Sequence, residues 1–314
     1  MAMVTSKKII SVIIPSFNEG KNIDYMYNKL TDVLKYLTDY DYEIIYINDG
    51  SEDDTWEKIS SLSKKDKKVL GICFSKNFGH QAAIESGLKK ARGDAVIMMD
   101  GDGQHPPDVI PELIKKWEEG FEIVNTQRIE TEGVSFIKKA TSKLFYNLIN
   151  VLSSTKIEEG SADFRLLDRI AVNEINKLTE KDKFYRGLVN WIGFKRTTVE
   201  YKARKRVNGE SSYSFKKMIE FARIGITSFS MLPMKIIMLI GGLLFVTGGL
   251  LTIIMVIFRY VLHSSFFSGT AILVSFIILN NGLLIILLGI ISVYQINMYK
   301  QLQNRPNYII RGEI

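Results

Sequence analysis

Short apolar runs and longer amphipathic stretches alternate over the first 130 residues. Apolar residues gather at 9–14, 42–47, 69–74, 95–99 and 122–126. Runs of this length, bounded by turn-forming residues, predict buried β-strands. Between them, residues 21–39, 53–65, 81–91 and 107–119 carry helical patterning. In the first of these, Ile23, Met26, Leu30, Val33 or Leu34, and Leu37 recur at three- and four-residue steps, which sets them on one helix face. Strand–helix alternation at this spacing predicts an α/β fold with a mostly parallel sheet and helices on both faces. Such sheets bind ligands beyond the carboxyl ends of their strands. Residues 131–210 are mixed and polar, with no run that suggests a separate domain.

The pattern changes after residue 212. Phe215, Ile219, Ala222, Ile226 and Phe229 follow a 4-3-4-3 spacing, flanked by Lys216, Glu220 and Arg223. This predicts an amphipathic helix lying in a membrane interface, ended by Pro233. Residues 236–258 and 264–299 then carry no formal charge, and each run exceeds the roughly 20 apolar residues that span a bilayer core. Two transmembrane helices are expected. The expected division is an α/β domain over 1–212, an interfacial helix over 213–232, and a two-helix membrane region with a short cytoplasmic tail over 233–314. Asn280 and Asn281 are costly against lipid and are expected to face another helix.

Composition sharpens this picture. The 314 residues are 46% hydrophobic with a mean hydropathy of +0.05, a net charge of +7 and an isoelectric point near 9.2. The excess positive charge is local: Lys202, Arg204, Lys205, Arg206, Lys216, Lys217, Arg223 and Lys235 precede the first apolar run. Basic clusters beside a span contact anionic lipid and mark the cytoplasmic side, so membrane lipids and not nucleic acid are the expected partner. The loop between the apolar runs holds only Arg259 and His263, whereas Lys300, Arg305 and Arg311 follow the second. Both termini are therefore expected in the cytoplasm of a bacterial cell, with the protein in its cytoplasmic membrane. A single cysteine, Cys73, excludes an internal disulfide framework and sits in an apolar run. The first apolar run, after Lys7 and Lys8, is too short for a signal-peptide core.

The chemistry lies at the strand ends. The first strand runs into Pro15-Ser16-Phe17-Asn18-Glu19, the second into Asn48-Asp49-Gly50-Ser51, and the third into Ser75-Lys76-Asn77-Phe78-Gly79-His80. The fourth stops at Asp100-Gly101-Asp102-Gly103-Gln104. Two carboxylates and a carboxamide suit a hard divalent cation, Mg²⁺ or Mn²⁺, shared with substrate phosphates. Neither a dinucleotide glycine fingerprint nor a P-loop is present. The acidic second and fourth strand ends point to a nucleotide-sugar, with acidic side chains on base and ribose and the cation on the diphosphate.

These segments resemble the polyprenyl-phosphate glycosyltransferases of glycosyltransferase family 2, the bactoprenyl-phosphate glucosyltransferase and dolichyl-phosphate mannose synthase type. The resemblance continues through Ala162-Asp163-Phe164-Arg165-Leu166-Leu167-Asp168, Arg186-Gly187-Leu188 and Arg206-Val207-Asn208-Gly209-Glu210-Ser211. It implies a GT-A, Rossmann-like domain that moves a sugar, with inversion, from a nucleotide-sugar donor to undecaprenyl or another polyprenyl phosphate. By the resemblance, Pro15, Asn18, Glu19, Asp49, Lys76 and Asp100 line the nucleotide. Asp100, Asp102 and Gln104 hold the metal. Asp163 and Asp102 serve catalysis, and Arg128, Lys138, Ser142, Arg206 and Ser211 surround the acceptor phosphate. Homo-oligomerisation and association with a flippase and a downstream glycosyltransferase are further expectations. Two departures stand out: Asn48 replaces an acidic residue common in the family, and Ser212 stands where the family usually has lysine. A processive polysaccharide synthase would need more spans and a Gln-x-x-Arg-Trp motif, which this chain lacks. A non-catalytic nucleotide-sugar-binding membrane protein would not need the Asp100, Asp102 and Gln104 set.

Overall fold

The computed structural model describes residues 7–130, 161–181, 183–202, 246, 248–250, 253–261 and 268–314. The chain divides into two compact units, Met1–Gly225 with Pro306–Ile314, and Ile226–Arg305.

In the first unit the five expected strands are β1 (Lys8–Ser16), β2 (Tyr40–Asn48), β3 (Val69–Phe74), β4 (Ala95–Met98) and β5 (Ile123–Glu130). The four expected helices are α1 (Gly20–Leu34), α2 (Thr55–Lys65), α3 (His80–Lys90) and α4 (Ile110–Glu118). Most ends differ from the sequence reading by a residue or two, and β5 runs four residues beyond the expected 126; two helix boundaries have a clear local cause. Helix α1 stops at Leu34, where three-residue hydrogen bonds from Tyr36 to Val33 and Leu37 to Leu34 tighten the last turn. The segment expected as one helix over 107–119 begins with a separate 3₁₀ turn, Pro107–Val109, because Pro111 has no N–H to return to the Pro107 carbonyl.

Residues 161–202 complete the same sheet. They supply β6 (Ser161–Asp168), α5 (Arg169–Lys177), α6 (Tyr185–Trp191) and β7 (Arg196–Lys202). A last strand, β8 (Ile310–Glu313), follows the second unit. The sheet order is β7-β5-β6-β4-β1-β2-β3-β8. Strands β4, β1, β2 and β3 run parallel, as do β5 and β7, whereas β6 and β8 run antiparallel to their neighbours.

Period-two alternation builds the two core layers. Ile10, Val12 and Ile14 of β1, Ile44 and Tyr46 of β2, and Ala95 and Ile97 of β4 pack with α1, α2 and α4. Ile13, Ile45, Ile47, Val96 and Met98 face the other way, toward α3, α5 and α6. Burial on both faces explains why these strands read as continuous apolar runs. Strand β1 lies between β4 and β2, so the connections diverge on either side of it. The crevice at their carboxyl ends is where such sheets bind ligands.

The carboxyl terminus departs from the sequence reading. The residues expected to form a short tail belong to the first unit, where β8 pairs antiparallel with β3 and Ile314 exchanges backbone hydrogen bonds with Gly71.

In the second unit, a helix α7 (Gly269–Leu302) contains Leu279–Tyr299, the one helix among the described residues long and apolar enough to cross a membrane. The interfacial helix expected over 213–232 and most of the first apolar run lie outside the described residues. The Asn280 side-chain amide donates to the Phe276 carbonyl one turn back, at 2.9 Å.

Candidate functional site

Four parallel strands deliver four loops to one end of the sheet, and hydrogen bonds stitch those loops together. After β1, Asn18 takes a left-handed conformation, φ 55°, which asparagine tolerates better than most residues. Its N–H donates to Ser51 Oγ and its side-chain oxygen accepts from the Glu52 N–H, both at 2.9 Å. The Glu19 N–H donates to Thr55 Oγ1 at 3.0 Å. Gly50 has φ 69°, and a Cβ there would lie 2.3 Å from the Lys76 carbonyl carbon. Only glycine lets the β2 and β3 ends approach so closely.

Asp49 is buried. Its Oδ1 accepts from the Phe78 N–H at 2.7 Å and its Oδ2 from the Gly79 N–H at 2.9 Å. Burial pushes its carboxyl up from the ordinary aspartate value, and those two backbone donors pull the other way. Each oxygen keeps a further lone pair for a ligand. Asn48 is committed to the turn: its side chain donates to Cys73 Sγ and accepts from the Ser51 N–H. This accounts locally for asparagine where the family usually has an acid. Pro15 lies in β1 beside Ile47. Lys76 is exposed, with its ammonium 5.2 Å from the Phe78 ring centre.

At the end of β4, the Asp100 N–H donates to His105 Nδ1 at 2.9 Å. Asp102 Oδ1 accepts from the Gln104 N–H at 3.0 Å, across Gly103 at φ 77°. His105 is buried, stacked 5.1 Å from Phe164 and set edge-on to Tyr201. The Asp100 carboxylate meets two imidazoles, His80 Nε2 at 3.6 Å and His105 Nε2 at 3.7 Å.

Strand β6 adds the decisive group. Its antiparallel register sets Met98 opposite Arg165. Asp163, two residues before Arg165, shares with Asp100 the His80 imidazole, which lies 3.5 Å from the Asp163 carboxylate and 3.6 Å from that of Asp100. Asp163 is 6% exposed. Arg186, one residue into α6, grips it with a two-point fork, Nε to Oδ1 and Nη2 to Oδ2, each 2.9 Å. Arg165 stands 3.9 Å away and His80 3.5 Å away. Burial alone would raise the Asp163 pKa, but the Arg186 charge, the His80 and Arg186 hydrogen bonds and the His80 charge outweigh it and hold the carboxyl well below the usual range. Desolvation in turn pushes Arg165 down to about 10. On β5, Arg128 pairs in register with Tyr201, and its Nε is buried without a hydrogen-bond partner among the described residues. Burial raises the Tyr201 hydroxyl to about 12, with Asp100 and Asp102 adding to the rise and Arg128 opposing it.

The structure thus gathers Asp49, Asp100, Asp102, Asp163 and Arg128 at one end of the sheet. Lys138, Ser142, Arg206 and Ser211 lie outside the described residues. His80, His105, Arg165, Arg186 and Tyr201 were given no role in the sequence reading. One signal was available: Arg165 interrupts an apolar strand, and a charge buried there requires an acidic partner.

The His80 pKa is raised. Desolvation lowers it, but the Asp163 hydrogen bond and the Asp100 and Asp163 charges prevail. A folded pKa above the unfolded one, about 6.5, gives stability that is full below that value and is lost as pH rises through the folded pKa. The wild type should therefore exceed His80→Gln in thermal midpoint most at about pH 5.5–6, with the gap closing under alkaline conditions. Thermal unfolding in detergent across that range measures it, and a gap that widens with pH would contradict the assignment.

Residues 11–175 match glycosyl transferase family 2. The uncharacterized glycosyltransferase YkcC of Bacillus subtilis (strain 168) is 38% identical, over 96% of this chain and 93% of the relative. The SfII prophage-derived bactoprenol glucosyl transferase of Shigella flexneri is 37% identical, over 96% and 97%. The prophage bactoprenol glucosyl transferase homolog of Escherichia coli (strain K12) is 35% identical, over 96% and 98%. Among solved structures, mannosyl-3-phosphoglycerate synthase from Rubrobacter xylanophilus has 17% identity and a TM-score of 0.47, over 70% of this chain and 72% of that one. With a family match across half its length and relatives aligned end to end, the chain belongs to glycosyl transferase family 2, is a glycosyltransferase, and is similar over nearly its whole length to proteins named bactoprenol glucosyl transferases.

Proposed function

We propose that the protein transfers a hexosyl group, with inversion, from UDP-glucose or UDP-N-acetylglucosamine to undecaprenyl phosphate at the cytoplasmic face of a bacterial membrane. The observation that carries this reading is the state of Asp163. A buried carboxylate held by an arginine fork, with its pKa well below the usual range, is a weak general base. A sugar hydroxyl would need a base to remove its proton; a phosphate acceptor is already anionic near neutral pH. The same fork ties up the carboxylate that a double displacement would need as nucleophile, which favours single displacement and inversion. Asp163 then serves as a fixed charge that orients the reacting groups. Arg128, whose buried Nε has no hydrogen-bond partner among the described residues, is suited to steer the acceptor phosphate, because guanidinium engages phosphate bidentately.

Asp100, Asp102 and Gln104 would hold Mg²⁺ or Mn²⁺. Their donors are the hard oxygens such ions take, and among the described residues no three His, Cys, Asp or Glu groups could hold a metal ion by themselves. The remaining positions suit substrate phosphate and water, as is usual for Mg²⁺. The ion would neutralise charge developing on the departing nucleoside diphosphate. Positioning and leaving-group stabilisation, more than proton transfer, then lower the barrier.

The lipid acceptor cannot leave the bilayer cheaply, at about 0.8 kcal/mol per buried CH₂, so the site must work at the headgroup plane. The chain leaves the first unit at Gly225 and rejoins it at Pro306, ahead of β8, which pairs with β3. A membrane excursion between those points has to cross an even number of times, which supports two spans. The basic residues before and after the apolar runs support a cytoplasmic location for the first unit.

The reaction is tested in detergent with undecaprenyl phosphate and each UDP-sugar, reading the lipid product by mass spectrometry. Asp102→Asn should lower transfer by at least about a hundredfold with little change in fold. Excess EDTA should do the same to the wild type, reversibly with Mg²⁺ or Mn²⁺. Full activity in excess chelator would remove the metal from the account. Topology is tested separately in cells with a membrane-impermeant thiol reagent. Ser265→Cys should be labelled from outside and Asn304→Cys should not; outside labelling of position 304 would contradict the even count.

A further inference from the structure

Helix α3 joins two distant parts of the chain. Its first residue, His80, faces Asp163 and Asp100. Five residues on, Glu85 is 4% exposed and carries a carboxylate with partners from three places. Its Oε1 accepts from Lys89 at 2.7 Å and from Lys183 at 3.2 Å. Its Oε2 accepts from the Asn307 side-chain amide at 2.7 Å. Lys183 is itself buried, its side chain 3% exposed, and it enters α6 three residues before Arg186. Gln81, on the same helix, accepts the Tyr185 N–H at 3.0 Å. The segment that places the Arg186 fork is thus hung on α3 at two points, and one of them, Glu85, is shared with the chain returning from α7.

That returning segment is firmly seated. Tyr308 stacks on Phe74 with ring centres 4.9 Å apart and planes 12° from parallel. Strand β8 extends the sheet beyond β3, and Glu313 pairs with Lys90 at the end of α3. For edge-strand cover alone, the β8 ladder and the Tyr308 stack would suffice. The Asn307 amide does something different. It enters a buried charge cluster, and a buried carboxylate has a fixed set of acceptor positions to satisfy. Of the three contacts on the Glu85 carboxylate, Asn307 supplies the one on Oε2, and Lys89 and Lys183 share Oε1.

We propose that Asn307 is a positioning residue for the transfer reaction: seated on Glu85, it fixes Lys183 and the start of α6, and thereby the Arg186 fork on Asp163. The active site is then completed by the segment that follows the apolar unit, so the transfer step depends on how that segment is docked. This inference rests on the transfer reaction proposed above.

The test uses the full-length protein in detergent with the undecaprenyl phosphate assay. Asn307→Ala should lower kcat by about tenfold, the loss expected for a hydrogen bond to a charged group, while the KM for the UDP-sugar stays within about twofold of wild type. Asn307→Gln, which keeps the amide donor, should recover part of the loss. Lys90→Ala removes the exposed pair with Glu313 and should leave kcat unchanged. In a double-mutant cycle with Arg186→Lys, the Asn307→Ala effect should largely vanish, because both act on one fork. Hydrogen exchange gives a readout independent of activity: amides of 185–191 should exchange faster in Asn307→Ala than in Lys90→Ala. Unchanged kcat and unchanged exchange in Asn307→Ala, with an active wild type, would overturn the inference. A lowered thermal midpoint with unaltered kcat, or full additivity with Arg186→Lys, would reduce Asn307 to a structural contact and overturn it as well. A wild type inactive toward undecaprenyl phosphate with both UDP-sugars would instead sink the proposed reaction, and the exchange comparison would still decide the coupling.

Discussion

A buried carboxylate at the end of an antiparallel strand sets the terms for the rest of this site. Asp163 lies within the sheet, beside the loop that bears Asp100, and an unpaired charge there would be expensive. Its neutralisation draws in Arg165 from its own strand, Arg186 from α6 and His80 from the start of α3. Each of these elements is thereby fixed against the β4 loop. The β3–α3 loop is held a second time, because Asp49 accepts the Phe78 and Gly79 N–H groups immediately before His80. Electrostatic satisfaction and loop placement are the same event in this fold.

That constraint also selects the chemistry. Groups that are rigid and already charged stabilise charge as it develops without reorganising first. A pinned carboxylate, a nearby guanidinium on β5 and two carboxylates suited to a divalent cation make a site that arranges anions. Such a site has little need of a base when the incoming nucleophile is a phosphate. On the proposed reaction, hydrophobic burial keeps a polyprenyl acceptor in the bilayer, and transfer has to take place at the headgroup plane.

The first half of the sheet was legible because its strands are buried on both faces and its helices follow in regular alternation. Ile10, Val12 and Ile14 against Ile13, or Ile44 and Tyr46 against Ile45, divide between two cores as their order in the chain implies. The strand-end residues were legible too, as four polar breaks after four apolar runs. What escaped depends on non-local pairing. Strand β6 runs antiparallel and meets β4 far away in sequence, so the approach of Asp163 to Asp100 has no local signature. Strand β8 reads Ile310-Arg311-Gly312-Glu313, a short polar edge without an apolar run, and its place is set by pairing with β3. The roles of Arg186 and His80 were hidden for the same reason. Their motifs could be quoted, but only the fold brings both to one carboxylate. Asn48 combines the two: it accepts from Ser51 within its own turn and donates to Cys73 on the neighbouring strand, and sequence alone could not separate that from a weakened ligand contact.

In the proposed reaction Asp163 acts as a fixed anion and not as a proton acceptor. The most direct test of that role is the pH dependence of kcat for transfer to the polyprenyl phosphate, measured between about pH 5 and 8, on either side of the ordinary histidine value. A carboxyl held well below the usual range stays ionised throughout, so the account predicts no loss of kcat on the acid side from this group and the same profile in an Arg186→Lys variant that keeps Asp163 paired. An acid limb with an apparent pKa near 6 that disappears in Asp163→Asn would show a titrating base at this position and would contradict the account.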